Sequence, residues 1–462
     1  MTQGVRKRAM WRPRLWQSFL VLLLLMGAMV ASAASPGQRW TLEQCLERAI
    51  AVSPEVNEAQ VEIRIAESQL AQAKAGRLPQ ATFTSLNGII NGAHGNAVTG
   101  RTDNNDIGPF TRNELEVVQP LYTFGRLSSE IRAASRGVDS KRAATQNART
   151  ATIATVKELY YNLLLSRQLK ALLDEVQENF TKAITTAEKR AEAGEGTITQ
   201  QDILKLRIGL ASVTREVYTL DRGIAVTRAA LMRQLGIPFA DDFDIADTEL
   251  ELVTVQLQPL VYYLEQAGIQ RPDIAQLEAG LAARQARVDA ARSAYYPSVF
   301  LAGGVRYARA PTRESQESPF AKDDFNYFAG GAVLGLRWQL DFWMTHAKLE
   351  ERLAELSQVE VKKHNATSGI ALDIQHRYLE MQETQQKIVA AQTARKAVRA
   401  LLATTLANFE LGVGEGKDVF ESLGLYARIV SDYYTTVRDY NLAAAKLTQA
   451  TGQEVTTLSY QR

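Results

Sequence analysis

Long stretches of the chain place apolar residues at alternating spacings of three and four. One such stretch is Ile203, Leu206, Leu210, Val213 and Val217, and a similar one begins at Leu423. Sustained spacing of this kind is typical of a coiled-coil seam. The pattern predicts two antiparallel pairs of long helices, at about 126–193 with 200–235 and at about 344–411 with 418–452.

Shorter segments ahead of each helix pair alternate apolar with polar residues. Val299, Leu301 and Val305 share one parity, and the alternation predicts β-hairpins at about 80–124 and 298–342. Segments of roughly ten residues with this alternation are a weak signature of transmembrane β-strands. An antiparallel sheet on a soluble core gives the same alternation, so this pattern alone leaves both readings open.

Aromatic residues and loop composition favour the interpretation of these segments as transmembrane strands. Aromatic residues cluster where the predicted strands adjoin the helices, which suits a membrane–water interface. At the opposite ends lie the polar segments 91–111 and 308–324. Four strands cannot close a barrel alone, so several chains would have to share one. The aromatic residues are Tyr122, Phe124, Tyr295, Tyr296, Trp338, Phe342 and Trp343.

The two halves of the chain repeat each other. The pattern Leu42-x3-Leu46-x2-Ala49-x4-Pro54 recurs with Leu260, Leu264, Ala267 and Pro272 at the same spacing. A period this long indicates a duplicated domain, with repeats at 34–236 and 260–462. The joint, 237–259, is acidic and predicts a solvated linker; as a calcium loop it lacks the EF-hand spacing and glycine.

The N-terminus has the order of a secretory signal peptide. Basic residues precede the apolar run from Phe19 to Val30, and Ala31-Ser32-Ala33 follows as a cleavage site. A transmembrane anchor is the alternative, but this run is too short to span a bilayer. We therefore expect residues 1–33 to be removed. No later apolar run approaches the length of a transmembrane helix.

Composition and motifs argue against several other classes. The 462 residues carry 53 Lys and Arg against 51 Asp and Glu. Without the basic N-terminus the balance is slightly acidic, so nucleic acid is not an expected partner. One Cys and four His exclude a Cys-built zinc site and leave no metalloprotease motif. Gly412-x3-Gly416-Lys417-Asp418 is too short for a phosphate loop and lacks its Ser or Thr, so we expect neither enzyme activity nor a cofactor.

These features together resemble the TolC-type outer-membrane efflux protein family. The resemblance rests on the duplication, on Gln119-Pro120-Leu121-Tyr122-Thr123-Phe124-Gly125 after the second strand, and on Gly196-x5-Asp202 and Gly412-x5-Asp418. It implies an α+β membrane protein in the bacterial outer membrane. Three chains would each give four strands to a twelve-stranded β-barrel, above an α-barrel of long helices that extends through the periplasm. The second copy departs from the pattern, because Trp338–Trp343 lacks the Pro and Gly of the first.

The resemblance also implies partners. A homotrimer of this family would carry cargo out of the cell with a periplasmic adaptor (a membrane fusion protein) and an inner-membrane pump of the RND, ABC or MFS class. It would need no cofactor of its own. A different class remains open: a wholly periplasmic coiled-coil adaptor or scaffold with a soluble β-domain.

By the same resemblance, the glycine turns form the periplasmic tip and contact the adaptor. Asp418 and Glu421 would ring the entrance, and Asp202 is the equivalent residue of the first repeat. A spacing of three places Asp418 and Glu421 on one helix face, so a trimer would crowd carboxylates into a cation-selective, acid-sensitive entrance. Alternatively, both acids only cap or solubilise the helix. The turn residues are Gly194, Glu195 and Gly196, and Gly412, Gly414 and Gly416.

Overall fold

The computed structural model describes most of the chain after the expected signal peptide. The described residues are 39–96, 98–194, 198–316, 318, 320 and 322–452. The signal peptide predicted at 1–33 lies outside them. So do Glu195 and Gly196 of the first predicted turn.

The helices and strands follow one another in the same order in both halves. The first half contains α1 (Leu42–Val52), α2 (Pro54–Ala75), β2 (Gln80–His94), β3 (Arg101–Tyr122), α3 (Arg126–Glu192) and α4 (Gln200–Gln234). The second contains α5 (Leu260–Gln270), α6 (Pro272–Arg292), β5 (Ser298–Arg309), β6 (Tyr327–Arg337), α7 (Phe342–Glu410) and α8 (Gly416–Thr451). Two-residue strands β1 (Arg39–Trp40) and β4 (Asp244–Ile245) pair in parallel.

Local sequence accounts for the break between α1 and α2. A capping box of Thr41 and Gln44 starts α1, and Pro54 occupies the first turn of α2, where proline is well tolerated. The sequence predicts Ser53 as an N-cap, but its hydroxyl donates to the Glu55 carboxylate at 2.6 Å and caps no backbone N–H. That hydrogen bond is the main reason the pKa of Glu55 is lowered.

The four longer strands form one antiparallel sheet in the order β2-β3-β5-β6. Leu115 of β3 lies opposite Phe83 of β2 and Val305 of β5, so these side chains share one face. This apolar face is exposed in the isolated chain, and the other, polar face carries charged and hydroxyl groups. The apolar face includes Phe83, Leu115, Leu301, Val305 and Leu334; the polar face includes Thr82, Thr84, Glu114, Glu116 and Arg306.

Strand β6 is shorter than the alternation of apolar residues in the sequence predicts. Strand β6 ends at Arg337, whereas the sequence predicts strand to about 342. Asp341 caps α7 by accepting a hydrogen bond from the Met344 N–H at 3.2 Å. Phe342 and Trp343 therefore lie in the first turn of a helix. The apolar alternation continues past the strand because a helix start can carry the same spacing for a few residues.

The long helices bury the predicted coiled-coil seams against each other. Helix α3 packs on α4, α6 and α8, and α7 packs on α8. Leu206 of α4 and Leu423 of α8 are fully buried, with Phe180 of α3, in one apolar cluster near the far end of the helices. This burial confirms the coiled-coil prediction. None of the described helices has an apolar stretch long enough to cross a membrane.

The acidic joint between the repeats is packed, in contrast to the solvated linker that the sequence predicts. Phe243 and Ile245 are buried beside α3. The Tyr160 hydroxyl donates to Asp247 at 2.8 Å, and Arg167 pairs with Asp244. Asp244 and Asp247 therefore serve the fold by pairing with α3, while the other acids of the joint are exposed as the sequence predicts.

Candidate functional site

Glycine residues make the two reversals at the far ends of the long helices. Gly194 follows α3 with φ of +71°, and Gly412 follows α7 with φ of +86°. This left-handed conformation is costly for residues with a Cβ atom. At the second turn the N–H groups of Val413 and Gly414 both donate to the Asn408 carbonyl, at 3.0 and 3.1 Å. Gly194 and Gly412 thus have a conformation that glycine favours.

Arg190 joins the two turns, although the sequence analysis did not single it out. Its Nη1 donates to the Phe409 carbonyl at 2.8 Å, and its guanidinium lies 5.8 Å from the centroid of the Phe409 ring. A basic residue in the last turn of a helix is a recognisable signal. Its partner on the other repeat could not be read from sequence, because the contact depends on how α3 and α7 pack.

Asp202 lies in a capping box at the start of α4. Its N–H donates to Thr199 Oγ1 at 3.2 Å, and the Thr199 N–H donates back to Asp202 Oδ2 at 3.1 Å. The residue is buried against Gly416, where an added Cβ would lie 2.7 Å from the Asp202 Cβ. The side chain is thus engaged within its own chain, and its role at an entrance stays a prediction.

Replacing Thr199 with Ala should weaken this start of α4. Loss of a Thr cap typically costs about 1 kcal/mol of helix stability, and here it also removes a partner of the Asp202 carboxylate. Hydrogen exchange of the amides in the first turn of α4 should therefore accelerate. Thr219→Ala, in the middle of the same helix, provides the control and should leave that turn unchanged.

Asp418 and Glu421 lie together on the exposed side of α8. Val419, Ser422 and Leu423 of the same turns are buried, so the helix directs the two carboxylates away from the core. They line a shallow hollow of about 420 Å³ that also borders the second turn. Glu421 Oε1 lies 3.8 Å from the Lys417 ammonium. Both residues are exposed to solvent in the single chain.

Aromatic residues at the strand–helix joints pack into two groups. The rings of Phe124 and Tyr296 stack at 5.3 Å, with Tyr122 at 4.7 Å from Phe124. Phe342 lies 6.4 Å from Tyr295 and from Trp338, while Trp343 points outward and is 89 % exposed. The first joint turns with Phe124 and Gly125 at positive φ. The second joint uses the Asp341 cap instead, which explains how it dispenses with Pro and Gly.

Comparison with known proteins identifies the family. The model of a family described as "Outer membrane efflux protein" matches residues 45–236 and 263–453, more than half of the chain. The chain belongs to the outer membrane efflux protein family. The pyoverdine export outer membrane protein OpmQ of Pseudomonas putida is 26% identical over 399 residues, which cover 81% of each chain.

Solved structures of outer-membrane channels share the fold of this efflux family member. The outer-membrane channel OprN superposes with a TM-score of 0.74 at 17% identity, covering 89% of this chain and 90% of its own. The open state of the Neisseria gonorrhoeae MtrE channel gives 0.71 at 17%, covering 91% and 93%. The resemblance to TolC-type channels is therefore confirmed. The protein is an outer-membrane efflux channel component with a periplasmic extension.

Within the described part of the chain, no group of three or more His, Cys, Asp or Glu side chains is arranged to hold a metal ion. The structure brings Asp418 and Glu421 together at the second turn. Asp202 packs against Gly416 instead, and its carboxylate accepts a hydrogen bond from the Thr199 hydroxyl.

Proposed function

We propose that three copies of this chain form an exit duct across the outer membrane. Each copy would give β2, β3, β5 and β6 to a twelve-stranded barrel and its long helices to a tunnel through the periplasm. The main observation in support of this barrel is the four-stranded sheet, whose apolar face is exposed and whose edge strands are β2 and β6. Unpaired backbone groups in hydrocarbon cost several kcal/mol each, so β2 of one copy would pair with β6 of the next.

The tip of this duct would be its entrance from the periplasm. In a trimer, Asp418 and Glu421 of three chains would surround the axis, on a helix whose opposite side is buried in its own chain. Crowded carboxylates attract cations and favour protonation as the pH falls. The entrance would therefore prefer cations, and acid would reduce that preference.

The duct would work with two partners. A periplasmic adaptor would contact the turns that contain Gly194, Gly412 and Gly414, because these lie at the end of the helices opposite the sheet. An inner-membrane pump would supply the energy, since the duct itself would be passive. The family membership and the export named for OpmQ support this assembly.

Disulfide crosslinking of neighbouring copies tests the barrel. Cysteines placed one on β2 and one on β6 should join copies into trimers in outer-membrane fractions, whereas a pair on β2 and β5 of one sheet should give no crosslinked trimer. A soluble monomer without crosslinks would contradict the duct and favour the periplasmic scaffold. The native Cys45 is buried and should not compete.

Neutralising the entrance should reduce its ion selectivity. We expect the double variant Asp418→Asn with Glu421→Gln to lose most of the cation preference at neutral pH and all of its response to acid, because the charged groups are gone. Reversal potentials across planar bilayers under a salt gradient, at neutral and acidic pH, measure both effects. Glu178→Gln, an exposed acid of α3, is the matched control. Unchanged selectivity in the double variant would leave both acids as helix caps or solubilising groups.

A further inference from the structure

We propose that residues 310–316, 318, 320 and 322–326, which lie between β5 and β6 and are named here the exit segment, fold into the outer mouth of the duct and limit the size of solutes that leave. The inference rests on the proposed trimeric barrel. Residues 317, 319 and 321 lie outside the described residues and are not part of this definition. Its contacts place it on one particular face of the sheet.

Glycines of β2 and β3 provide the seat for the exit segment. A Cβ added at Gly108 would collide with the Thr312 side chain, and one added at Gly92 would lie 3.0 Å from the Thr312 carbonyl. The Ala93 N–H donates to that carbonyl at 3.2 Å, and the Glu314 N–H donates to the Ala93 carbonyl at 2.9 Å. The segment is therefore hydrogen-bonded to the end of β2 and pressed against β3.

The seat lies on the polar face of the sheet. Gly108, Phe110 and Arg112 have the parity of Glu114 and Glu116 along β3, which pairs with β2 without a register shift over these positions. Two further contacts join this face to the segment. The rings of Phe110 and Phe325 lie 5.8 Å apart, and Arg112 Nη2 donates to the Asp324 carbonyl at 3.4 Å. In a barrel whose apolar face meets lipid, the polar face lines the lumen, so the segment lies inside the mouth.

The exit segment also has a defined internal structure. Asp323 accepts hydrogen bonds from the N–H groups of Gln316, Phe325 and Asn326 at 2.9, 2.8 and 2.9 Å. Partial burial raises the pKa of Asp323, but these donors and Arg313 outweigh it and leave the pKa lowered. Arg313 stacks on Phe325 at 3.9 Å from the ring centroid. A segment held in this way can act as a fixed obstacle.

Polar and charged side chains of the exit segment contact the end of β2 and the β2–β3 connection. Glu314 accepts a hydrogen bond from the Gly95 N–H at 2.8 Å and lies 3.5 Å from His94 Nδ1. Gln316 Nε2 donates to the Gly95 carbonyl at 3.0 Å. Both outer connections thus form one layer across the polar face, and three copies would narrow the opening from all sides.

A cysteine placed on the polar face, on the helical side of the exit segment, would report the size of the outer mouth. Thr84 lies on the polar face of β2, in a hollow of about 400 Å³ shared with Glu114 and Arg306, and nearer the helical end of the strand than Gly92. The Thr84→Cys variant would be labelled from outside intact cells by two maleimides, one small and one carrying a long polyethylene glycol chain. Cys45 should stay silent, because burial raises the pKa of its thiol to about 12 and maleimides react with thiolates.

With the exit segment intact, we expect the small reagent to label Thr84→Cys and the bulky reagent to label it several-fold more slowly. Replacing 311–325 with a short glycine turn should remove that difference. Gly108→Val fills the seat and should speed bulky labelling without removing any residue. If both changes leave the labelling ratio of folded trimers as it was, the exit segment does not restrict the mouth.

Phe83→Cys separates this inference from the proposed duct. Phe83 is the neighbour of Thr84 on the apolar face, so in the barrel it meets lipid and neither water-soluble reagent should label it. Equal labelling at both positions would overturn the barrel itself. Labelling of Thr84→Cys alone, with no effect of either mouth variant, would overturn only the exit segment.

Discussion

Phe180→Ala should destabilise the tip of the helices more than any other single truncation there, by about 3–5 kcal/mol. The ring is 2 % exposed, lies 6.4 Å from the Phe420 ring, and packs directly on Gly209, where an added Cβ would be 2.6 Å from it. Glycine at that position shows that the space is shaped around the ring. The neighbouring helices cannot close the cavity without moving α4 and α8 together.

Hydrogen exchange at the ends of α3, α4 and α8 would measure this effect as a lower free energy of local opening. Phe239→Ala is the matched control, since that ring is 70 % exposed and loses little on truncation. Equal protection from hydrogen exchange in the two variants would mean that the apolar cluster around Phe180 adds little to the stability of the helix ends.

Arg271→Ala should have the second large effect, on the order of 3 kcal/mol, because it leaves partly buried acids without their partner. The side chain is 17 % exposed. Its guanidinium lies 2.7 Å from Asp273 and 3.6 Å from Asp373, and Nη1 donates to the Ala450 carbonyl at 2.9 Å. One side chain thereby joins the start of α6 to α7 and to the end of α8.

The melting temperature of the purified protein, followed by circular dichroism, would show this loss. Arg132→Ala removes a comparable ion pair, to Asp289 at 3.3 Å, but its side chain is 61 % exposed. Surface pairs contribute about 0–1 kcal/mol, so the control should melt close to the native protein. A similar shift in both variants would argue that Arg271 matters only as a surface charge.

Regular elements of this fold could be predicted from sequence because each has one buried or apolar side. The seam through Leu206 and the one through Leu423 repeat at a helical period, and the alternation around Leu115 repeats at the period of a strand. Such patterns need no knowledge of the partner element. The glycine turns at Gly194 and Gly412 are similarly local, since only the backbone of the turn itself decides them.

The features that could not be predicted from the sequence depend on contacts between distant segments of the chain. Arg190 is an ordinary basic residue until α7 places the Phe409 carbonyl within reach. The pairing of Asp247 with Tyr160 and of Asp244 with Arg167 could not be predicted, because these partners lie far away in the chain. For the residues that we propose at the entrance, spacing alone indicates that Asp418 and Glu421 share a face; only the packing of α8 shows that this face is exposed.

The pairing of β3 with β5 has a consequence for biogenesis. Leu115 and Val305 are neighbours in the sheet, yet the four helices α3 to α6 lie between them in the chain. A chain is synthesised from its N-terminal end, so the first hairpin exists with its apolar face and its β3 edge uncovered while β5 is still unmade. Strand pairing between distant segments is slow, and bare edges invite aggregation. The first hairpin therefore stays without its β5 partner until the second half of the chain has been made.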